Sequence, residues 1–202
     1  SREKLTSDSF RSIRPSNGLH TRYHTLLPGL FLNKDVAIGD PVKWTDFRPV
    51  SNIFPCRLAN LSDCRMIFEW RNDPITRQMS HNTQEKIWQE FQEEFKSYFK
   101  NYPIIVYFEE RQLGLVSFIK TTDRKYIIGL NLNPMFRGEG LGVPVLSSAI
   151  NYFKEHYCSS EGKDTIIAEI KTINQASIKT FSRAGFQFLE SSESINKFSL
   201  EI

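Results

Sequence analysis

The stretch Tyr126-Ile127-Ile128-Gly129-Leu130-Asn131-Leu132-Asn133, followed by Arg137-Gly138-Glu139-Gly140-Leu141-Gly142, decides how this chain is read. An apolar strand feeds a glycine-rich loop, and beyond it Leu141, Val145, Leu146, Ile150 and Phe153 recur at helical spacing. Glycines let such a loop turn tightly. The first N–H groups of the helix have no partner within it, and its dipole favours negative charge, so the unit is a site for a pyrophosphate. Pro144 falls in the first helical turn, where a missing N–H costs little. A second element, Asn174-Gln175-Ala176-Ser177 through Ala184-Gly185-Phe186, follows another apolar strand at Thr165 to Ile170.

Working outward, Cys56 to Ala59 reads as a short first strand. Asp63 to Arg71 carries Met66, Ile67 and Trp70 at helical spacing. Asn82 with Glu85 three residues later makes a capping box, which predicts a helix whose apolar face holds Ile87, Trp88, Phe91, Phe95 and Phe99. Pro103 to Phe108 and Leu113 to Ile119 read as strands joined by a hairpin turn at 109–112. Gln175 to Ala184 is a short helix with Gly185 as its C-cap, and Phe186 to Leu189 and Lys197 to Ile202 close as strands. Residues 1–50 differ: Pro15, Pro28 and Pro41 alternate with Gly18, Gly29 and Gly39. Leu26, Leu27, Leu30, Phe31, Leu32 and Trp44 are too apolar for a linker, so a small, turn-rich, β or irregular module is expected.

Composition narrows the classes. A chain of 202 residues holds one full domain and a smaller module. The net charge of +3 is too mild to argue for nucleic acid, which calls for clustered Lys and Arg on one face. No apolar run approaches the roughly 20 residues of a membrane span. Cys56, Cys64 and Cys158 are odd in number and lack metal spacing, so reduced thiols, a cytoplasmic location and no metal are expected. The chain opens at Ser1 in mid-pattern, which reads as a piece of something longer.

The strand–loop–helix unit and the Asn174 element together resemble the cofactor core of the GNAT superfamily of acyl-CoA N-acyltransferases, over residues 54–202. The resemblance implies an α+β fold with a mixed central sheet flanked by helices, and acetyl-CoA as co-substrate. In that family the N–H groups of the loop, here Arg137, Gly138, Gly140, Leu141, Gly142 and Val143, hold the pyrophosphate. Leu130, Asn131 and Leu132 would run beside the pantetheine, with the Leu132 N–H polarising the thioester carbonyl. Asn174 would touch the pantetheine or serve as an N-cap. Phe181 stands where many members have a tyrosine that protonates the leaving thiolate, and it has no proton to give. Glu169 is the first candidate for the base that deprotonates the acceptor amine, and His81 the second. His20 and His24 belong to the N-terminal module, and His156 to a helix end.

The segment Trp70-Arg71-Asn72-Asp73-Pro74 through Arg77, Ser80 and Asn82 resembles the acceptor side of GNAT enzymes that acetylate nucleotide-linked 4-amino sugars on the pseudaminic acid route. The segment suits a nucleotide sugar, with Trp70 as a stacking face, Arg71 and Arg77 as phosphate forks, and Asn72 and Asn82 as hydroxyl readers; the competing reading packs Trp70 in the core and pairs the arginines with Glu69 and Asp73. Residues 3–48, through Ile13-Arg14-Pro15-Ser16-Asn17-Gly18-Leu19 and Gly39-Asp40-Pro41-Val42-Lys43-Trp44, resemble the antifreeze-like (SAF) domain of sialic and pseudaminic acid synthases. In those synthases an arginine of this domain, here Arg14, reaches a partner subunit's active site. The resemblance therefore implies a nucleotide-sugar substrate, no nucleic-acid or membrane partner, and either a homodimer or the tail of a synthase–acetyltransferase fusion. A protein N-terminal or side-chain acetyltransferase, and a non-catalytic acetyl-CoA-binding assembly module, are the competing readings.

Overall fold

Strands β1 (Cys56–Leu58), β2 (Ile104–Phe108), β3 (Arg111–Thr122), β4 (Lys125–Leu132), β5 (Thr165–Lys171), β6 (Gln187–Ser191) and β7 (Ile195–Glu201) form one sheet in the order β1-β2-β3-β4-β5-β7-β6. This computed structural model describes residues 4–13, 17–48, 53–158 and 162–202. Every strand pair is antiparallel except β4 with β5. A parallel pair needs a crossover, and α4 (Gly142–Tyr157) supplies it. The other helices are α1 (Cys64–Asn72), α2 (Pro74–Met79), α3 (Trp88–Tyr98) and α5 (Gln175–Arg183). The mixed sheet flanked by helices is the α+β architecture expected from the sequence.

Alternation along the strands sorts the core onto two faces. Ile104, Val106, Val116 and Phe118 face α4, where Val145, Leu146, Ala149, Ile150 and Phe153 are buried. Phe118 and Phe153 stack with centroids 4.0 Å apart. Ile105 and Leu115 face the opposite way and pack under Ile67, Trp70, Phe91 and Phe95 of α1 and α3. The β2–β3 hairpin turns in two residues, Glu109 and Glu110, with Glu109 at a positive φ of 52°.

One helix start departs from the expectation. Asn82 does not cap α3; its side chain accepts from the Gln84 N–H in a local turn, and the helix begins six residues later at Trp88. The cause is long-range: Asn72 accepts from the Lys86 N–H and donates to the Lys86 carbonyl, which holds residue 86 out of helical pairing. Ile87 is accordingly exposed rather than part of the apolar face.

The N-terminal segment makes short 3₁₀ turns and two isolated bridges, Lys4–Phe31 and Leu32–Phe47, with no longer strand among the described residues. Its apolar residues are used elsewhere. Tyr23, Leu27, Leu30, Trp44 and Phe47 are buried in the same core cluster as the α4 face of the sheet. Arg14, Pro15 and Ser16 lie outside the described residues.

Helices α4 and α5 are in close contact at Gly142. A Cβ there would stand 2.8 Å from Thr180 Oγ1 and 2.9 Å from its Cγ2. Gly142→Ala is expected to destabilise the protein by about 1–3 kcal/mol through overpacking. Adding Thr180→Ala should restore most of it; chemical denaturation of the single and double variants reads both values.

Candidate active site

The site begins where a ladder stops. β4 and β5 pair from Lys125–Thr165 to Ile128–Ala168, yet β4 runs on to Leu132 and β5 to Lys171. Beyond Ile128 the two strands no longer bond, and a wedge opens between them. The Asn133 N–H bonds the Leu113 carbonyl. Antiparallel ladders alternate, so the odd-numbered residues of this stretch direct their backbone groups to β3 and Leu130 and Leu132 direct theirs into the wedge. Asn131 stands between them with its Nδ2 buried and without a partner.

At the top of the wedge, Gly138 and Gly140 take φ of +82° and +77°, conformations natural only to glycine. The N–H groups from Gly138 to Val143 donate to no protein acceptor among the described residues. Together with the α4 N-terminus they make an anion cradle that fits a pyrophosphate. Arg137 is not directed at that cradle: its guanidinium donates to Asp73 Oδ1 at 2.6 Å and to Thr76 Oγ1. The Thr76 hydroxyl in turn lies 3.3 Å from Asn131 Oδ1 as donor. Asp73 also caps α2 by accepting from the Thr76 N–H, with Pro74 at the first helical position. Thus α2, the glycine loop and β4 are tied by one polar chain. Asp73 and Thr76 were not singled out from the sequence. The Asp-Pro N-cap was its local sign, but the partner lies 64 residues away.

On β5, Glu169 is the first residue past the paired stretch, and its carboxylate faces Lys197 of β7 at 3.6 Å. His81 Nε2 is 3.3 Å from the Glu169 carbonyl oxygen. A carbonyl only accepts, so Nε2 is the donor, and in the neutral ring Nδ1 keeps the lone pair. Lys171 Nζ bonds the Gln78 carbonyl, which fastens the end of α2 to the same strand. The two sequence candidates for a base therefore stand together at the mouth of the wedge.

Asn174 is the N-cap of α5 and accepts from the Ser177 N–H at 3.1 Å. Phe181 is buried against Phe186, centroids 5.0 Å apart, so the structure gives its ring a packing role rather than a place beside a ligand. Among the acceptor-side candidates Trp70 and Asn72 are corrected. Trp70 is 7% exposed and belongs to the α1–α3 core, so it offers no stacking face. Asn72 spends both side-chain polar atoms on Lys86, and Asn82 spends its oxygen on the turn. Arg71 stacks over Tyr98 and bonds its hydroxyl. Arg77 meets the exposed Glu85 at 3.4 Å, and its Nε is buried without a partner. Among the described residues no cluster of His, Cys, Asp or Glu has the make-up of a metal site, and no helix is long and apolar enough to cross a membrane. The three cysteines are unpaired; burial pushes the Cys56 thiol up to about 12.

The model of the acetyltransferase (GNAT) domain family matches residues 56–187. Among solved structures, spermidine N-acetyltransferase from Vibrio cholerae, in complex with CoA and spermine, superposes with a TM-score of 0.64 at 13% identity, covering 73% of this chain and 95% of that one. The yncA structure from Salmonella typhimurium, solved with its cofactor acetyl-CoA, gives 0.59 at 17% identity over 73% and 93%. Ribosomal-protein-alanine N-acetyltransferase from Brucella melitensis gives 0.60 at 15% identity over 73% and 99%. At these identities the likeness is one of fold. No curated protein sequence matches this one.

The polar chain makes the loop pH-sensitive. Burial works against the charge on Asp73, but the Thr76 N–H and the Arg137 guanidinium outweigh it and hold the carboxyl below its usual range. A depressed folded-state value means stabilisation that is full above the unfolded value of about 3.9 and lost as pH falls through the folded one. Asp73→Asn, which can still cap α2, is expected to melt below wild type at neutral pH and to converge with it under acid. Melting temperatures measured from pH 7 to pH 2 would show the convergence.

Proposed function

The chain belongs to the GNAT acetyltransferase family, an N-acetyltransferase that uses acetyl-CoA as donor, and from that premise we propose that its acceptor is the amine of a nucleotide-linked amino-deoxy sugar of the nonulosonic (pseudaminic or sialic) type. The observation that carries the reading is Arg77. It sits on α2, whose end is fastened to the strand that carries Glu169, and its guanidinium keeps a buried Nε without a partner and has only a long contact to an exposed carboxylate. Such a fork suits a phosphate and not a polyamine. The sequence resemblances at Trp70 to Pro74, and of residues 1–50 to the antifreeze-like domain, support the same pathway and a history beside a synthase.

In this reading the glycine loop and the α4 N-terminus hold the pyrophosphate, and Asn174 orders the turn beside it. Leu130, Asn131 and Leu132 line the arm that carries the thioester. Glu169 takes the proton from the acceptor ammonium on its carboxylate, or His81 takes it on Nδ1. The free amine then attacks the acetyl carbonyl carbon, the Leu132 N–H donates to the carbonyl oxygen, and the carbon–sulfur bond breaks as the nitrogen gives its second proton to water, leaving the amide. The leaving thiolate needs no proton from Phe181, since a thiol is far more acidic than an alcohol and takes its proton from water.

Release of coenzyme A thiol from acetyl-CoA, measured with UDP-4-amino-4,6-dideoxy sugars, spermidine and a mixed peptide pool, tests the acceptor class. Release with the sugars alone is expected. Release with peptides alone would replace the sugar reading by protein acetylation, and cofactor binding with no acceptor turned over would point to the assembly module. With an accepted substrate in hand, Glu169→Gln should lower kcat by about 10²-fold or more, the usual weight of a general base. Arg77→Ala should instead raise KM for the sugar nucleotide.

A further inference from the structure

A cavity of about 510 Å³ lies beside the glycine loop, and its two walls come from different parts of the chain. One wall lies inside the matched family region: Gly140, Gly142 and Val143 at the α4 N-terminus, with Lys179 and Arg183 of α5. The other is made by Asn33, Trp44, Thr45 and Arg48, all upstream of the matched family region at residues 56–187. We infer that residues 33–48 form the second wall of the coenzyme's nucleotide site and grip its adenosine bisphosphate end. The inference rests on the acetyl-CoA reading of the glycine loop and goes beyond it in assigning ligand contact to a segment outside the family domain.

Three observations carry it. The first is charge. Arg48, Lys179 and Arg183 converge on the cavity, none has a carboxylate within ion-pair distance among the described residues, and no acidic side chain lines it. That suits a nucleoside with two phosphate groups. The second is a polar orphan. Trp44 is 6% exposed and its indole Nε1 is buried with no acceptor, a state that is costly until a partner arrives. Its Cδ1, the atom bonded to that nitrogen, lies 3.7 Å from where a Cβ on Gly140 would stand, so the N–H edge lies against the phosphate loop. The third is anchorage. The Tyr23 hydroxyl donates to Glu139 Oε2 of the loop at 2.9 Å, and Trp44 packs edge-on to Tyr23 at 5.5 Å. Burial, and then the bond to Glu139, push the Tyr23 phenol above its usual range, so the contact stays protonated at any working pH. Arg48 is likewise held, its N–H on the Phe31 carbonyl and its guanidinium over the Phe31 ring. The wall is built, not draped.

The test uses the full chain, with calorimetric titration of adenosine 3′,5′-bisphosphate and of acetyl-CoA. Wild type should bind both. Arg48→Ala, an exposed position whose loss should leave the melting temperature near wild type, is expected to weaken the bisphosphate about 5–20-fold and to flatten the dependence of Kd on salt. Binding should change the tryptophan fluorescence, and Trp44→Phe, which keeps a ring in the core, should abolish that change while Trp88→Phe keeps it. Unaltered or tighter bisphosphate binding in Arg48→Ala, or a fluorescence change that survives Trp44→Phe, would overturn the inference. So would a wild type that binds acetyl-CoA but not the bisphosphate. A wild type that binds neither ligand would instead sink the donor-site reading on which the inference stands.

Discussion

Everything in this molecule that resembles chemistry follows from the loss of pairing between β4 and β5 after Ile128 and Ala168. Up to that point the two strands are an ordinary parallel pair buried between layers. Past it, Leu130 and Leu132 face a gap with backbone donors and acceptors that no strand satisfies. Unpaired backbone groups inside a protein are costly, and a site is one of the few reasons to keep them. The same divergence puts Glu169 at an opening, where a carboxylate keeps access to water and to an incoming amine. A fold that kept the ladder intact would be more stable and would have nowhere to bring two substrates together.

The glycine loop at the head of this wedge is held from two sides. On the acceptor side, Asp73, Thr76 and Asn131 fix Arg137 and with it the start of the loop. On the other, Tyr23 fixes Glu139 and Trp44 lies along Gly140. Glycine-rich segments carry a large entropy in the free state, and ordering them on binding weakens affinity. Here the ordering is done during folding. The flexible residue type supplies the backbone angles, and its neighbours remove the flexibility.

What could be read from the chain divides along the range of the interactions. The loop and its helix were legible because glycine spacing, an apolar strand and Pro144 in the first turn are local signals of one consistent structure. The N-cap role of Asn174 was legible for the same reason. Asn82 was misread because its capping box is a genuine local signal that Asn72 overrides from ten residues upstream, by taking both backbone groups of Lys86. Trp70 stood between a stacking face and a core position, since its neighbours in sequence look like a ligand site while its helical phase matches Met66 and Ile67; the phase decides, and turns it under Phe91 and Phe95. In the N-terminal segment the apolar residues suggested a small, turn-rich module but not what it packs against. Their partners are Phe54, Phe108 and the α4 face, and nothing in a linear reading announces contacts so distant. The Asp73–Arg137 pair was hidden for the same reason.

The contact between Trp44 and Gly140 has a consequence on the scale of lineages. The indole lies at ordinary contact distance from where a Cβ on Gly140 would stand, and the positive φ of Gly140 alone reserves that position for glycine. The dependence therefore runs one way, although the two positions sit in stretches that a family alignment would treat as separate. Relatives that lose the upstream segment should still keep the glycine, because the loop demands it. Relatives that keep the segment inherit a fixed loop surface to which the side chain at 44 must conform.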